Sequence, residues 1–168
     1  MRAEHLGSSR GNFGGAMFAV QYVMLATDCG INIAAPLLYR YNTLQLVLYV
    51  LQDTTLVMAL IVLFLSFFAT YIFQAGLIAV MVTKFRGTIA VTLFYLAMSI
   101  AYHVVSLKAQ WGHPTTYIWT PLLTFLYVSQ RAGSAFYYYF YKRTTMALCD
   151  PRYYQDSPWL REQIEKRR

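Results

Sequence analysis

Asp28, Asp53 and Arg131 each interrupt a long apolar run, and amides accompany them: Asn32 lies one helical turn past Asp28, Gln52 precedes Asp53, and Gln130 precedes Arg131. Two carboxylates and a guanidinium in such surroundings can do two kinds of chemistry. They can hand a proton or ion from group to group, or they can pair across helices and clasp them together. A charge at mid-bilayer costs about 2.5–3.5 kcal/mol on the insertion scale, so each is expected to face protein and find a partner. With the inner boundary near Met17, a rise of 1.5 Å per residue puts Asp28 about 16 Å deep, Asp53 at similar depth and Arg131 roughly 9 Å deep. An arginine stem spans that gap. The expectation is therefore a polar clasp in which Arg131 pairs with Asp28, Asp53 or both, assisted by Gln21, Asn32, Gln52 and Gln130. A small ion or proton channel or transporter using Asp28 and Asp53 is the alternative. Arg131 would neutralise one acid of such a pathway, and no inverted repeat or pair of Gly/Pro-broken helices supports it.

The remaining reactive side chains form no site. His103 and His113 lie ten residues apart with no nearby acid or thiol in sequence, a poor metal ligand set, and His5 is near the N-terminus. No Ser-His-Asp or Cys-His order, HExxH helix or Gly-rich phosphate loop occurs, so no enzymatic chemistry, cofactor or metal is expected. Cys29 and Cys149 cannot make a disulfide framework; Cys149, beside a basic segment, is a candidate for palmitoylation against a simpler reading as a plain thiol.

What must position these groups is set by composition. Of 168 residues, 58% are hydrophobic, 17% aromatic and only 12% charged, against about 25% charged in soluble domains. A chain this short has too little interior to hide that much apolar surface from water, so its solvent is lipid. The net charge of +7 comes from basic residues clustered toward the ends, where they suit anionic membrane lipid; no run interleaves bases with aromatics outside the apolar spans, so nucleic acid is not a partner.

The reading is an all-α, four-helix transmembrane bundle. Residues 1–15, rich in Gly and Ser, are expected to be a flexible tail. Spans are expected at about 16–39, 44–67, 88–107 and 116–141, within a transmembrane domain of 16–141. Thr43 to Thr83 holds no Lys or Arg, no Pro, and a single Gly near its far end, so the second helix is expected to run on to residue 83. Lys84-Phe85-Arg86-Gly87 then makes a basic connection. Small residues at Ala97-x-x-x-Ala101 and Ala132-Gly133-Ser134-Ala135 allow close helix approach. Arg2, Arg10, Lys84, Arg86, Lys142 and Arg143 fall on one side of this topology and only Arg40 and Lys108 in the other connections, which puts both termini in the cytoplasm.

Residues 142–168 form a basic cytoplasmic tail. Ser157-Pro158 reads as an N-cap with proline at the first helical position, and a short amphipathic helix is expected to follow. Trp159, Leu160, Gln163 and Ile164 share one face, flanked by Arg161, Lys166, Arg167 and Arg168. Such a helix lies on anionic lipid or docks on a cytoplasmic partner.

Several segments resemble a known family. They are Leu44-Gln45-Leu46-Val47-Leu48 with Gln52-Asp53, Phe73-Gln74-Ala75-Gly76-Leu77, Lys84-Phe85-Arg86-Gly87-Thr88-Ile89, Tyr117-Ile118-Trp119-Thr120 and Gln130-Arg131. The tail carries Tyr139-Phe140-Tyr141-Lys142-Arg143-Thr144, Asp150-Pro151, Tyr154-Gln155-Asp156-Ser157, Trp159-Leu160-Arg161 and a closing Arg167-Arg168. Together with Asp28 and Asn32 these resemble the transmembrane protein 138 family over about residues 17–168, leaving Met1 to Gly15 outside the likeness. The resemblance implies a small four-span protein without enzymatic chemistry, associated with cilium assembly and with delivery or retention of ciliary membrane proteins, and found also on vesicular or vacuolar membranes. Its implied partners are membrane lipids, other ciliary transmembrane proteins and membrane cargo.

Overall fold

The structure, a computed structural model, describes residues 2–38, 40–68, 78–111 and 120–148, with side chains from Phe18 onward except at 78–82 and 84. The described residues are helical almost throughout: α1 (Arg2–Ala34), a 3₁₀ turn (Ala35–Leu38), α2 (Asn42–Phe68), α3 (Ile78–Gln110) and α4 (Pro121–Leu148). Two prolines punctuate them. Pro36 follows the end of α1, where its missing N–H cannot continue the hydrogen-bond ladder. Pro121 opens α4 at the position where an N–H is orphaned anyway, and Thr120 caps the helix by accepting the Leu123 N–H at 3.2 Å.

Burial is inverted relative to a soluble bundle. Asp28 and Gln130 are fully buried, whereas Val23 and Phe125 are each 65% exposed. Lipid rather than water is the solvent that makes this arrangement favourable, because apolar side chains lose nothing by facing it and polar ones lose their hydrogen bonds. On α2 the buried positions include Gln45, Tyr49, Gln52, Leu56, Ala59, Leu63 and Ser66, alternately four and three residues apart, with Phe67 beside the last. That heptad spacing keeps one stripe turned toward neighbouring helices, the pattern of left-handed helix packing.

Three spans, Phe18–Leu38, Asn42–Phe68 and Phe85–Gln110, are long and apolar enough to cross a bilayer. Helix α4 carries more hydroxyls and amides, but it lies antiparallel along α3 through the membrane. Thr88 meets Thr144 at 2.6 Å, Gly133 abuts Tyr95, and the rings of Tyr102 and Tyr127 are 5.8 Å apart. Its outward face, with Leu122, Phe125, Val128 and Phe136, is apolar like those of the other spans. A core of Leu56, Ala59, Leu63, Phe67, Phe85, Tyr137 and Tyr141 fills the end where α2 leads toward α3, and a second of Ala35, Tyr49, Tyr102, Leu123 and Leu126 fills the opposite end.

Four expectations about boundaries are corrected. Helix α1 begins at Arg2, so residues 2–15 are not a separate flexible tail; once the downstream span supplies the nucleus, each added residue costs little. Residues 78–83, expected to close the second helix, belong instead to α3, while α2 is described as Asn42–Phe68. Lys84 to Gly87 is accordingly helical rather than a connection: Phe85 is buried and stacks on Phe67 with centroids 5.3 Å apart. Finally, α4 starts at Pro121 rather than Thr116 and continues past Tyr141 to Leu148, because Thr144, Thr145 and Leu148 keep their buried stripe going. The segment 149–168, with Cys149 and the expected tail helix including Trp159, Arg161 and Ile164, lies outside the described residues, as does His113.

Candidate functional site

All four helices place a polar side chain at one level inside the bundle. Helix α1 contributes Asp28 and, one turn on, Asn32; α2 contributes Gln52, α3 Tyr95, and α4 Gln130 and Tyr138. The Asp28 carboxylate accepts from Tyr138 Oη at 2.7 Å, Gln52 Nε2 at 2.8 Å, Tyr95 Oη at 3.1 Å and Asn32 Nδ2 at 3.3 Å. Asn32 is the second hub. Its amide donates to Tyr95 Oη at 2.8 Å and Tyr138 Oη at 3.0 Å, and its oxygen accepts from Gln130 Nε2 at 2.9 Å and Gln52 Nε2 at 3.1 Å. An ionised carboxylate offers about four acceptor sites, and four donors from this network meet Asp28. A hub satisfied from every side fixes the rotation of each helix about its axis, since a turn of any one of them strands a buried polar group.

The sequence-predicted clasp is thus divided. Asp28, Asn32, Gln52 and Gln130 come together; Asp53 and Arg131 do not join them. Asp53 turns to α3, where His103 Nδ1 lies 3.0 and 3.1 Å from its two carboxylate oxygens. His103 is held flat by stacking on Tyr49, with centroids 4.0 Å apart. Arg131 pairs with neither acid, and its guanidinium rests over the Tyr127 ring, 5.1 Å from the centroid. One residue of helix, about 100°, separates it from Gln130, which points into the network. Gln21, expected to assist the clasp, instead bonds Ser66 at 2.9 Å nearer the other end of α2.

The Asp53–His103 pair answers the missing-acid objection to His103 but builds no metal centre; among the described residues no group of three His, Cys, Asp or Glu side chains gathers. It works as a partly buried, ion-pair-like hydrogen bond between α2 and α3. Asp53→Asn and His103→Gln are each expected to cost about 1–2 kcal/mol by leaving a polar partner unmet, and the double variant little more than either, measured by denaturant unfolding in micelles. Full additivity would show that the pair contributes no coupling.

Two network members, Tyr95 and Tyr138, lie outside the clasp that the sequence predicts. A signal for Tyr95 exists: Thr88, Thr92, Tyr95, Ser99, Ser106 and Gln110 recur three, four or seven residues apart on α3 and are all buried. In lipid such a polar stripe marks the inward face. Tyr138 carries no such signal, because it sits in a run of aromatic residues that equally suits an interfacial belt.

With this geometry in view, comparison with known sequences assigns the chain. A sequence profile described as transmembrane protein 138 matches residues 45–163. The chain belongs to the transmembrane protein 138 family. Relatives named transmembrane protein 138 are similar to it almost end to end: the mouse protein is 42% identical over 148 residues, covering 88% of this chain and 91% of its own, and the zebrafish (Danio rerio) protein is 38% identical over 149 residues, covering 89% and 92%. The Xenopus tropicalis protein is 37% identical over 150 residues, covering 89% and 93%. No solved structure matches. The transmembrane protein 138 profile includes Gln52, Tyr95, Gln130 and Tyr138 from the network and also Asp53, His103 and Arg131; Asp28 and Asn32 precede its first matched residue.

Proposed function

We propose that this member of the transmembrane protein 138 family is a non-enzymatic multi-pass membrane protein that serves cilium assembly by sorting, delivering or retaining ciliary membrane proteins. It acts at the cilium or ciliary base and on vesicular or vacuolar membranes, with both termini in the cytoplasm. The observation that carries this reading is membership of the family over nearly the whole chain. The site agrees with it: the buried acid Asp28 is engaged by side chains of all four helices, the arrangement of a scaffold whose polar groups hold a shape. Recognition then falls to the outer faces of the helices and to the tail, where Trp159, Leu160 and Ile164 are apolar and Arg161, Lys166, Arg167 and Arg168 basic.

The test is removal of the protein from ciliated cells, scoring cilium length and the position of a ciliary membrane receptor, with the tagged chain returned as rescue. Loss should shorten cilia or misplace the receptor, and the Trp159→Ala/Leu160→Ala variant should insert normally yet rescue less than half as well. Normal cilia after removal would overturn the reading. The channel alternative is tested separately in proteoliposomes, where proton or ion flux above protein-free vesicles that vanishes in Asp53→Asn would favour it.

A further inference from the structure

Arg131 is a cation at mid-bilayer depth that meets no acid among the described residues. Its neighbour Gln130 bonds Asn32, one turn from Asp28 in the middle of the Phe18–Leu38 span. Its place between Tyr127, which meets Tyr102, and Gly133, which abuts Tyr95, sets it level with the middle of Phe85–Gln110 as well. Among the described residues its guanidinium contacts the Tyr127 ring, and Asp28 and Asp53 are engaged elsewhere. The side chain is only half-buried.

The face that carries it is only partly covered: Tyr127, Arg131 and Tyr138 are each half-buried, and Ser134 is buried. Tyr127, Arg131, Ser134 and Tyr138 are four, three and four residues apart and so share one flank of α4. At Tyr138 that flank faces α1, because its hydroxyl reaches Asp28, whereas at Tyr127 it also meets Tyr102 of α3. The other flank, with Gly133 and Phe140, faces α3 at Tyr95 and Gly87. Whereas α3 packs along α4, α1 along α2 and α2 along α3, the backbones of α1 and α4 approach each other at few points. The long side chains of Tyr138 and Gln130 bridge between them instead.

We propose that the α1–α4 seam receives a transmembrane helix of a partner or cargo protein bearing an Asp or Glu near its own midpoint, and that Arg131 pairs with that carboxylate. The proposal rests on the sorting reading above and names the chemistry by which it selects. Depth argues for a helix rather than a lipid headgroup: phosphates lie about 15 Å from the bilayer centre, beyond the reach of one arginine stem from this level. A carboxylate carried at mid-span needs a cation for the same reason that Arg131 needs an anion. The cation–π contact with Tyr127 holds the guanidinium meanwhile, and its fork of N–H donors suits a bidentate carboxylate.

The test uses the full-length chain in phosphatidylcholine vesicles with synthetic Leu/Ala helices of about 20 residues carrying Glu, Gln or Leu at the centre, read by energy transfer between labelled chain and labelled peptide. The Glu peptide should associate roughly threefold to fifteenfold more tightly than the Leu peptide, the span of measured interhelical polar contacts converted to affinity. Arg131→Leu should abolish the difference, and Arg131→Glu should shift the preference to a Lys-bearing peptide, a reversal that a merely misfolded variant does not give. Equal association of Glu and Leu peptides overturns the proposal. Displacement of the Glu peptide by phosphatidylserine would assign the arginine to lipid instead, and Asp53-dependent self-association without peptide would assign it to a second copy; either overturns the proposal. Failure here leaves the sorting reading to be decided by the ciliary rescue, which does not depend on how cargo is recognised.

Discussion

Asp28→Ala is expected to destabilise the bundle by about 2–3 kcal/mol, seen as a lower denaturant midpoint when the purified chain unfolds in mixed micelles. The carboxylate receives four donors, from Gln52, Tyr95, Tyr138 and Asn32. Interhelical polar contacts in membranes average about 0.6 kcal/mol each, less than in water-soluble cores because the unfolded chain in lipid also finds partners, so the three from Gln52, Tyr95 and Tyr138, with the contact from Asn32 within α1, set the scale. Asp28→Asn keeps the shape and one acceptor oxygen and should cost under about 1 kcal/mol. Coupling provides the stronger check: Tyr138→Phe should cost clearly less in the Asp28→Ala background than in the wild-type chain, because its hydroxyl has then lost its shortest partner. If Asp28→Ala cost no more than Val23→Ala on the exposed face of α1, the network would specify geometry without adding stability.

Gly133→Leu is expected to cost about 3 kcal/mol or more and to loosen the α3–α4 pair. A Cβ at position 133 meets Tyr95 Cδ2 at 3.3 Å, already tight, and the further carbons of leucine have to displace that ring. Tyr95 is fully buried, stacked on Tyr137 at 5.1 Å, and its hydroxyl touches Asp28, Asn32, Gln52 and Gln130. A shift of the ring therefore disturbs the network as well as the packing. Gly133→Ala should fall within about 1 kcal/mol of wild type, since alanine's advantage in a helix offsets the tight contact. The contrast between alanine and leucine in the same unfolding assay tests whether close approach at this point, rather than glycine's flexibility, is what matters.

The two substitutions probe features of unequal visibility in the sequence. Gly133 lies in the small-residue cluster read as a close-approach signal, and the structure puts it at the contact between the most extensively packed pair of helices. Ala97, read the same way, faces outward, since small residues allow approach without stating which side approaches. The clasp was half legible. Asp28, Asn32, Gln52 and Gln130 stand out because polar groups deep in apolar runs have few alternatives to meeting one another. Pairing by charge and depth misassigned Arg131, because depth gives height along the membrane normal and says nothing about azimuth. Asp53 and Arg131 sit near the same level yet on helix faces directed to different neighbours.

Composition and apolar run length by themselves determined that this chain lives in lipid, that it is helical, and where its spans fall to within several residues, because a continuous apolar run of about 20 residues satisfies its backbone hydrogen bonds in a bilayer as a helix. The family resemblance was legible there too, carried by contiguous segments. Only the tertiary structure decided which polar groups meet. Residues 28, 32, 52, 95, 130 and 138 are joined by the rotation of four helices, a quantity set by all their contacts at once. The same rotation places Arg131 over Tyr127 rather than against an acid, with Asp28 surrounded by donors of the network and Asp53 engaged by His103.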